Sequence, residues 1–292
     1  MKKILITGAN GFLGQHLCLF LLDKGYDIIA TGRGICRVPS KHLLYRQCEL
    51  TESKEIALLL NMHQPTVIIH TAAMSKPDEC NADKALCIKA NVEATKNLLL
   101  CETSHFIYIS TDFIFGENGP HAEDESPNPL NFYGESKWQA EQLVKQTNCK
   151  TTIVRPVLIY GEIWEGLKGN FLYWVKSSLE QDKPIKVVSD QLRTPTYVND
   201  ICKGLQTIID KEATGAYHLA GKDIISPYEM AIATAKVLRL NAALIEKVTA
   251  DTFPEPVKRA KRSGLKIDKA RRELGYEPVS FEEGVRLTFG VW

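Results

Sequence analysis

TGANGFLG, residues 7–14, follows directly on the apolar run KILI and decides how the rest of the chain is read. Glycines at 8, 11 and 14 each meet a separate physical demand. Gly8 permits a tight turn after a strand, Gly11 lets backbone approach a pyrophosphate, and Gly14 lets the following helix pack closely on the strand. A helix that starts here points its N-terminal amides at negative charge. A strand, this turn and a helix in that order predict a dinucleotide-binding fold, with Asn10, Phe12 and Leu13 completing the cofactor-contacting turn.

Working outward, short apolar runs alternate with helix-like stretches. KILITGA, DIIATGR, LLYRQCE, TVIIHTAA, FIYISTD and TTIVRPVLIY (151–160) read as strands apolar enough to be buried on both faces. Residues 12–24, 52–63, 82–103 and 132–147 read as helices. This alternation predicts an α/β fold, a doubly wound parallel Rossmann-type sheet with helices on both faces. The regularity breaks after Tyr160. The reading is therefore a dinucleotide-binding domain at 1–160, rejoined by 193–220, and a smaller, discontinuous substrate lobe at 161–192 and 221–292.

The second strand ends ATGRG, with Arg33 where an acidic residue would accept hydrogen bonds from the ribose of NAD. A guanidinium there suits a 2'-phosphate instead, so NADP(H) is preferred and NAD(H) is the alternative.

The bulk properties exclude several classes. A chain of 292 residues with 44% hydrophobic and 24% charged residues is ordinary globular material. Its net charge of +1 offers no attraction to nucleic acid or a membrane surface. MKKILITGANGFLG does not read as a signal peptide, and no run of about 18 apolar residues is present. Eight cysteines, at 18, 36, 48, 80, 87, 101, 149 and 202, form no CxxC and read as buried thiols of a cytoplasmic protein, with no metal site.

NFYGESKWQAE, residues 131–141, sets Tyr133 four positions before Lys137, one helical turn apart on the same face. Chance alone yields about one such Tyr/Lys spacing in a chain with this composition, so the pair matters only through its setting. Thr111, in FIYISTDFIFG, belongs at the carboxyl end of a strand, where hydroxyls face the ligand crevice. Taken in order, TGANGFLG, TAAMS, NVEATKNL, ISTDFIFG, YGESKWQAE, VRPVLIYG and KIDKARRELGYEPVSFEEGVR resemble the extended short-chain dehydrogenase/reductase family over nearly the whole chain.

That resemblance implies roles. Tyr133 would be the proton donor, Lys137 would favour its phenolate and hold the nicotinamide ribose, and Thr111 would bond the substrate carbonyl. Glu49 and Leu50 take the place of the family's Asp-hydrophobic pair near the adenine, and Ala72 and Ala73 of TAAMS join the cofactor contacts. Asn91 resembles the family asparagine packed under the site. His70 reads as a core residue, and His121 lies in the acidic loop GPHAEDESPNP, which reads as a solvated lid.

Thr111-Asp112-Phe113 lacks the glutamate of the family's dehydratases. GNF (169–171) and SDQLRTPTYVNDI (189–201) resemble the dTDP-4-dehydrorhamnose reductase branch. Asp112, Asn170, Arg193 and Arg262 are the implied substrate contacts, Arg193 suiting a nucleotide diphosphate. The implied function is reduction of a 4-keto-6-deoxy sugar nucleotide by NADPH, in a chain that forms a homodimer. A nucleotide-sugar epimerase of the same fold and a non-catalytic regulatory subunit, like the methionine adenosyltransferase β subunit, remain as alternatives.

Overall fold

β1 (Lys3–Thr7) lies inside a seven-stranded sheet, where Ile4, Leu5 and Ile6 are fully enclosed. The coordinates are a computed structural model that describes residues 2–100, 103–164, 166–167, 169–253 and 256–291. β2 (Asp27–Gly32), β3 (Leu44–Gln47), β4 (Val67–His70), β5 (His105–Ile109) and β6 (Lys150–Arg155) pair in parallel register around β1. The two-residue β7 (Ile159–Tyr160), β8 (Ile185–Val188) and β9 (Thr196–Tyr197) lie outside this sheet. β10 (Gly215–His218) adds to its edge beside β6, giving the order β10-β6-β5-β4-β1-β2-β3. The order reverses between β1 and β4, so a crevice opens there at the carboxyl ends of the strands.

Helix α1 (Phe12–Asp23) packs on one face, against α8 (Val198–Lys211). The other face is covered by α2 (Ser53–His63), α5 (Ala94–Leu99) and α6 (Phe132–Lys145), with the short helices α3 (Pro77–Ala82) and α4 (Lys84–Ile88) packed against α6. α7 (Phe171–Glu180), α9 (Pro227–Leu238), β8 and β11 (Ile245–Val248) build a separate small core around Val175, Ile185 and Ala231. Helices α10 (Asp268–Leu274) and α11 (Phe281–Phe289) close the chain onto the main core. Among the described residues, no helix is long and apolar enough to cross a membrane.

The glycine turn behaves as its sequence demands. Gly8 sits at φ +67°, and a Cβ on it would stand 2.6 Å from the amide nitrogen of Ala72. A Cβ on Gly14 would stand 2.2 Å from the Gly8 carbonyl, so α1 is locked against the turn.

Three sequence expectations are corrected. The run 151–160 is two strands: Pro156 cannot donate to a ladder, Leu158 turns to positive φ, and β7 leaves the sheet to pair with β9. The helix expected at 82–103 runs only from Lys84 to Leu99 and contains a π-helical turn. Asp83 caps α4 by accepting from the Leu86 amide at 2.9 Å, a π-helical turn at Lys89–Glu93 follows, and α5 ends at Leu99; Cys101 lies outside the described residues. The acidic loop around His121 is no solvated lid. His121 stacks on Phe115 at 4.7 Å and meets Glu125 Oε2 at 2.6 Å, while Glu123 Oε1 accepts from the His218 amide at 3.1 Å.

That loop belongs to a buried ionic cluster. Arg155 on β6 grips Glu141 on α6 bidentately, at 2.9 and 2.8 Å, and its remaining arm reaches His218 Nε2 and the Glu123 carbonyl, each at 3.2 Å. His218 Nδ1 therefore carries the proton and donates to the Lys266 carbonyl at 3.1 Å. Burial, then the Arg155 charge, holds His218 down to about 3, so it stays neutral. Arg155→Met should cost about 3–5 kcal/mol in urea denaturation by leaving Glu141 buried and alone. Adding Glu141→Leu should restore most of that loss, and a double variant no better than the single would show that packing, not charge, sets the cost.

Candidate active site

The site grows from the carboxyl end of β5. Thr111 leaves that strand extended and caps a one-turn 3-10 helix (Asp112–Ile114), its hydroxyl accepting from the Phe113 amide at 3.2 Å and donating to Asp112 Oδ1 at 3.2 Å. Helix α6 begins where Asn131 accepts from the Gly134 amide at 3.1 Å. A Cβ on Gly134 would lie 2.1 Å from the Phe113 carbonyl, so the first turn of α6 presses onto the Thr111 turn and delivers Tyr133 to it.

Tyr133, Lys137 and Glu141 recur at one-turn intervals along the buried face of α6. Lys137 Nζ donates to the Ile109 carbonyl at 2.7 Å and lies 4.1 Å from the Tyr108 ring centroid. Burial pulls its pKa down to about 7, against the opposing pull of Glu141. Burial pushes the Tyr133 phenol well above its ordinary value; a hydrogen bond with the Thr111 hydroxyl opposes this and the Asp112 charge adds to it. The expectation that Lys137 dominates the phenol is thus outweighed, because enclosing the ring disfavours its anion more strongly.

A polar layer fixes these groups from below. Asn91, on the π turn, accepts from the Met74 amide at 2.7 Å and donates to Ser136 Oγ at 2.9 Å, tying the β4 exit to α6. Ser136 Oγ donates to the Tyr133 carbonyl at 2.8 Å. His70 meets Thr7 Oγ1 at 2.7 Å and Thr95 Oγ1 at 3.1 Å; since Thr95 donates to the Asn91 carbonyl, it accepts from His70 Nε2–H. Burial holds His70 near 3, as a neutral core residue.

At the start of α6, next to its cap Asn131, opens a small cleft whose walls include Asp112, Phe113, Arg193, Arg259 and Ser263. Asp112 is buried, and its pKa is raised to about 6 by burial, partly offset by Arg193. Arg193 Nη2 donates to Gln191 Oε1 at 2.7 Å, while its backbone pairs with Ile225. Arg262, expected in the cleft, is exposed outside it. Its backbone bridges to Leu192 and its side chain is left exposed, while the next residue, Ser263, lines the cleft. Arg259 stands at the cleft instead, its Nη2 bonded to Asp78 at 2.9 and 3.0 Å. Nothing in the run VKRAKRSG marked Arg259 over its neighbours. Asn170, expected to touch substrate, is the cap of α7, accepting from the Leu172 and Tyr173 amides at 3.1 and 3.3 Å and donating to the Gly161 carbonyl at 3.1 Å.

On the other side of the crevice, no side chain caps the N-terminus of α1 and its first turn holds no acidic residue. Asn10 spends its whole side chain on the loop after β2. Its Nδ2 donates to the carbonyls of Arg33 and Ile35 and to Tyr45 Oη at 3.0, 2.9 and 2.9 Å, and its Oδ1 accepts from the Arg37 amide at 2.8 Å. Arg33 is exposed at the head of this loop, and Arg37, which the sequence analysis passed over, donates to the Gly166 carbonyl at 3.2 Å. Phe12 packs edge-on to His16 and Leu13 turns into the core, so these residues offer the crevice backbone rather than side chain. Glu49 Oε1 accepts from the Thr51 amide at 3.2 Å, Leu50 is buried, and Ala72 and Ala73 follow the end of β4.

The sequence model described as the RmlD substrate binding domain matches residues 1–290. The chain belongs to that family. Its relatives and structural neighbours place the RmlD family among the extended short-chain dehydrogenases/reductases. The spore coat polysaccharide biosynthesis protein SpsK of Bacillus subtilis is 29% identical over 98% of this chain and 96% of its own. A dTDP-4-dehydrorhamnose reductase from Bacillus anthracis, solved in complex with NADP, superposes with a TM-score of 0.87 at 28% identity, covering 99% of each chain. The methionine adenosyltransferase 2 subunit beta of Bos taurus is 30% identical over 85% of this chain and 75% of its own. This RmlD family member therefore has both a reductase and a subunit of a methionine adenosyltransferase among its relatives.

The buried amine gives a pH signature. Lys137 titrates at about 7 when folded and near its ordinary value of 10.5 when unfolded, so between these the unfolded chain holds more protons. Stability from this group rises with pH across that interval. Urea denaturation at pH 7 and pH 9 should show wild type gaining stability relative to Lys137→Met; equal changes in both proteins would mean the amine is not buried as a charge.

Proposed function

We propose that the chain is an NADPH-preferring reductase of a 4-keto-6-deoxy sugar nucleotide, most like dTDP-4-dehydrorhamnose reductase. The observation that carries this reading is the meeting of Thr111, Tyr133 and Lys137 at the carboxyl edge of the sheet, next to a cleft walled by Arg193 and Arg259. The uncapped α1 N-terminus and the glycine turn fit a pyrophosphate, and the related reductase solved with NADP supports the same cofactor class.

When bound, the reduced nicotinamide supplies a hydride to the sugar carbonyl carbon. Tyr133, kept protonated by burial, gives its proton to the carbonyl oxygen, which becomes far more basic than a phenolate as it gains charge. Thr111 hydrogen-bonds that oxygen and orients the carbonyl. Lys137 compensates the phenolate left behind and bonds the nicotinamide ribose. Arg193 and Arg259 hold the diphosphate of the sugar nucleotide, Arg259 exchanging part of its Asp78 contact for it. Arg33 and Arg37, on the loop stapled by Asn10, select the 2'-phosphate. The protein works in the cytoplasm as a homodimer.

The methionine adenosyltransferase relatives favour a second reading, a regulatory subunit that binds cofactor without turnover. Retention of Thr111, Tyr133 and Lys137 in one buried array weighs against it.

An assay of NADPH oxidation with dTDP-4-keto-6-deoxy sugar decides between them. Tyr133→Phe should keep cofactor affinity and lose roughly 100- to 10,000-fold in kcat, the range for loss of a general acid. Wild-type protein that binds NADPH but turns over no sugar nucleotide would favour the regulatory reading. Arg33→Ala combined with Arg37→Ala should erase the preference for NADPH over NADH by about tenfold or more, as loss of charge-assisted bonds requires; an unchanged ratio of Michaelis constants removes the cofactor assignment.

A further inference from the structure

Cys80 and Cys87 occupy a place that the reaction does not explain. Both are wholly buried, and with Tyr133 they form a small cluster of their own, walled by Met74, Phe113 and Phe132. Cys80 lies in α3 and Cys87 in α4, two helices that meet at the Asp83 kink. The Cys80 thiol donates to the Met74 carbonyl at 3.3 Å and packs in the same buried cluster as the Cys87 thiol. Cys87 faces Ser136 Oγ at 3.3 Å and accepts from Asn91 Nδ2 at 3.4 Å.

We propose that Cys80 and Cys87 are a redox-sensitive thiol pair beside Tyr133, joined as a disulfide by a hydroperoxide and reopened by a dithiol.

The chemistry balances within these groups. The Cys87 thiolate attacks the peroxide oxygen, forming a sulfenic acid and releasing the alcohol or water. The Cys80 thiol then attacks the sulfenic sulfur, the S–S bond forms and a second water leaves. Two thiols lose two electrons, and the peroxide gains them. A dithiol reverses the step by becoming a disulfide itself. The surroundings favour Cys87 as attacking group. Hydrogen bonding on the Cys80 side, then Ser136, the Lys137 charge and the Asn91 amide lower the Cys87 pKa against the effect of burial, while Cys80 is held up as the neutral resolving thiol. α3 is a separate helix of only six residues, with few internal hydrogen bonds to break when it opens locally and lets a small oxidant reach the pair.

Closing the bond takes Cys87 away from Ser136 and Asn91, the two residues that fix the Tyr133 turn, and draws in α3, which carries the Asp78 partner of Arg259. Loss of turnover on oxidation follows, a consequence that rests on the reductase reading; formation of the disulfide does not.

The test uses the protein carrying Cys36→Ser, which removes the one exposed thiol among the described residues. After hydrogen peroxide treatment and alkylation under denaturing conditions, peptide mapping should find Cys80 linked to Cys87, with two hydrogens lost from the intact mass. Dithiothreitol should restore both, and Cys80→Ala should abolish the link. NADPH-dependent turnover should fall at least tenfold on oxidation, return on reduction, and resist peroxide in Cys80→Ala. Recovery of both cysteines alkylated, or of an irreversible acid at Cys87, overturns the pair. A mapped disulfide with unchanged turnover overturns the control of Tyr133. Absence of any turnover in the reduced protein sinks the reductase reading instead, and the mapping still decides the pair.

Discussion

Helix α6 brings an amine and a carboxylate into the protein interior, and the surroundings are arranged to meet that demand. A buried charge without a partner costs several kcal/mol, roughly the net stability of a domain. Lys137 is met by a backbone carbonyl of β5 and by the Tyr108 ring, and Glu141 by the two arms of Arg155 on β6. Those contacts fix the helix in rotation and height against the sheet edge. Tyr133, one turn earlier, has little freedom left.

The same demand spreads to the loop over residues 116–125. Arg155 has one arm to spare after Glu141, and His218 and the Glu123 carbonyl take it. His218 in turn reaches Lys266, in the segment that brings Arg259 and Ser263 to the cleft. Backbone bonds from Gly119 to Arg262 and from His121 to Gly264 finish the connection. Substrate-side and reacting-side walls are thus coupled through one neutral histidine.

The sequence carried the sheet because its message is local: apolar runs buried on both faces, and a glycine turn whose three positions each have a separate cause. It offered Thr111, Tyr133 and Lys137 through motif order; in the structure the Thr111 hydroxyl meets the Tyr133 phenol, and Lys137 lies one turn along the same buried face of α6. What stayed hidden depended on pairing or capping across distance. Arg262 and Arg259 are indistinguishable in a basic run until the backbone of one bridges to Leu192 and the side chain of the other bonds Asp78. Asn170 has the chemistry of a ligand contact, yet an asparagine before a helix serves equally well as a cap, and that use prevails. The π turn at Asn91 gave no sign, since its residues are ordinary helix formers; only the bonds to Met74 and Ser136 explain the extra residue.

Asn10 gives the crevice a division of labour. Because this one amide holds the Arg33–Arg37 segment through three bonds and ties it to Tyr45 by a fourth, the course of the loop is set by its backbone rather than by the Arg33 side chain. Such a scaffold is evolvable: residues on the loop can be exchanged to suit a different nucleotide while the frame beneath persists. Loss of the amide would instead unfasten the frame, and no choice of side chain on the loop could compensate.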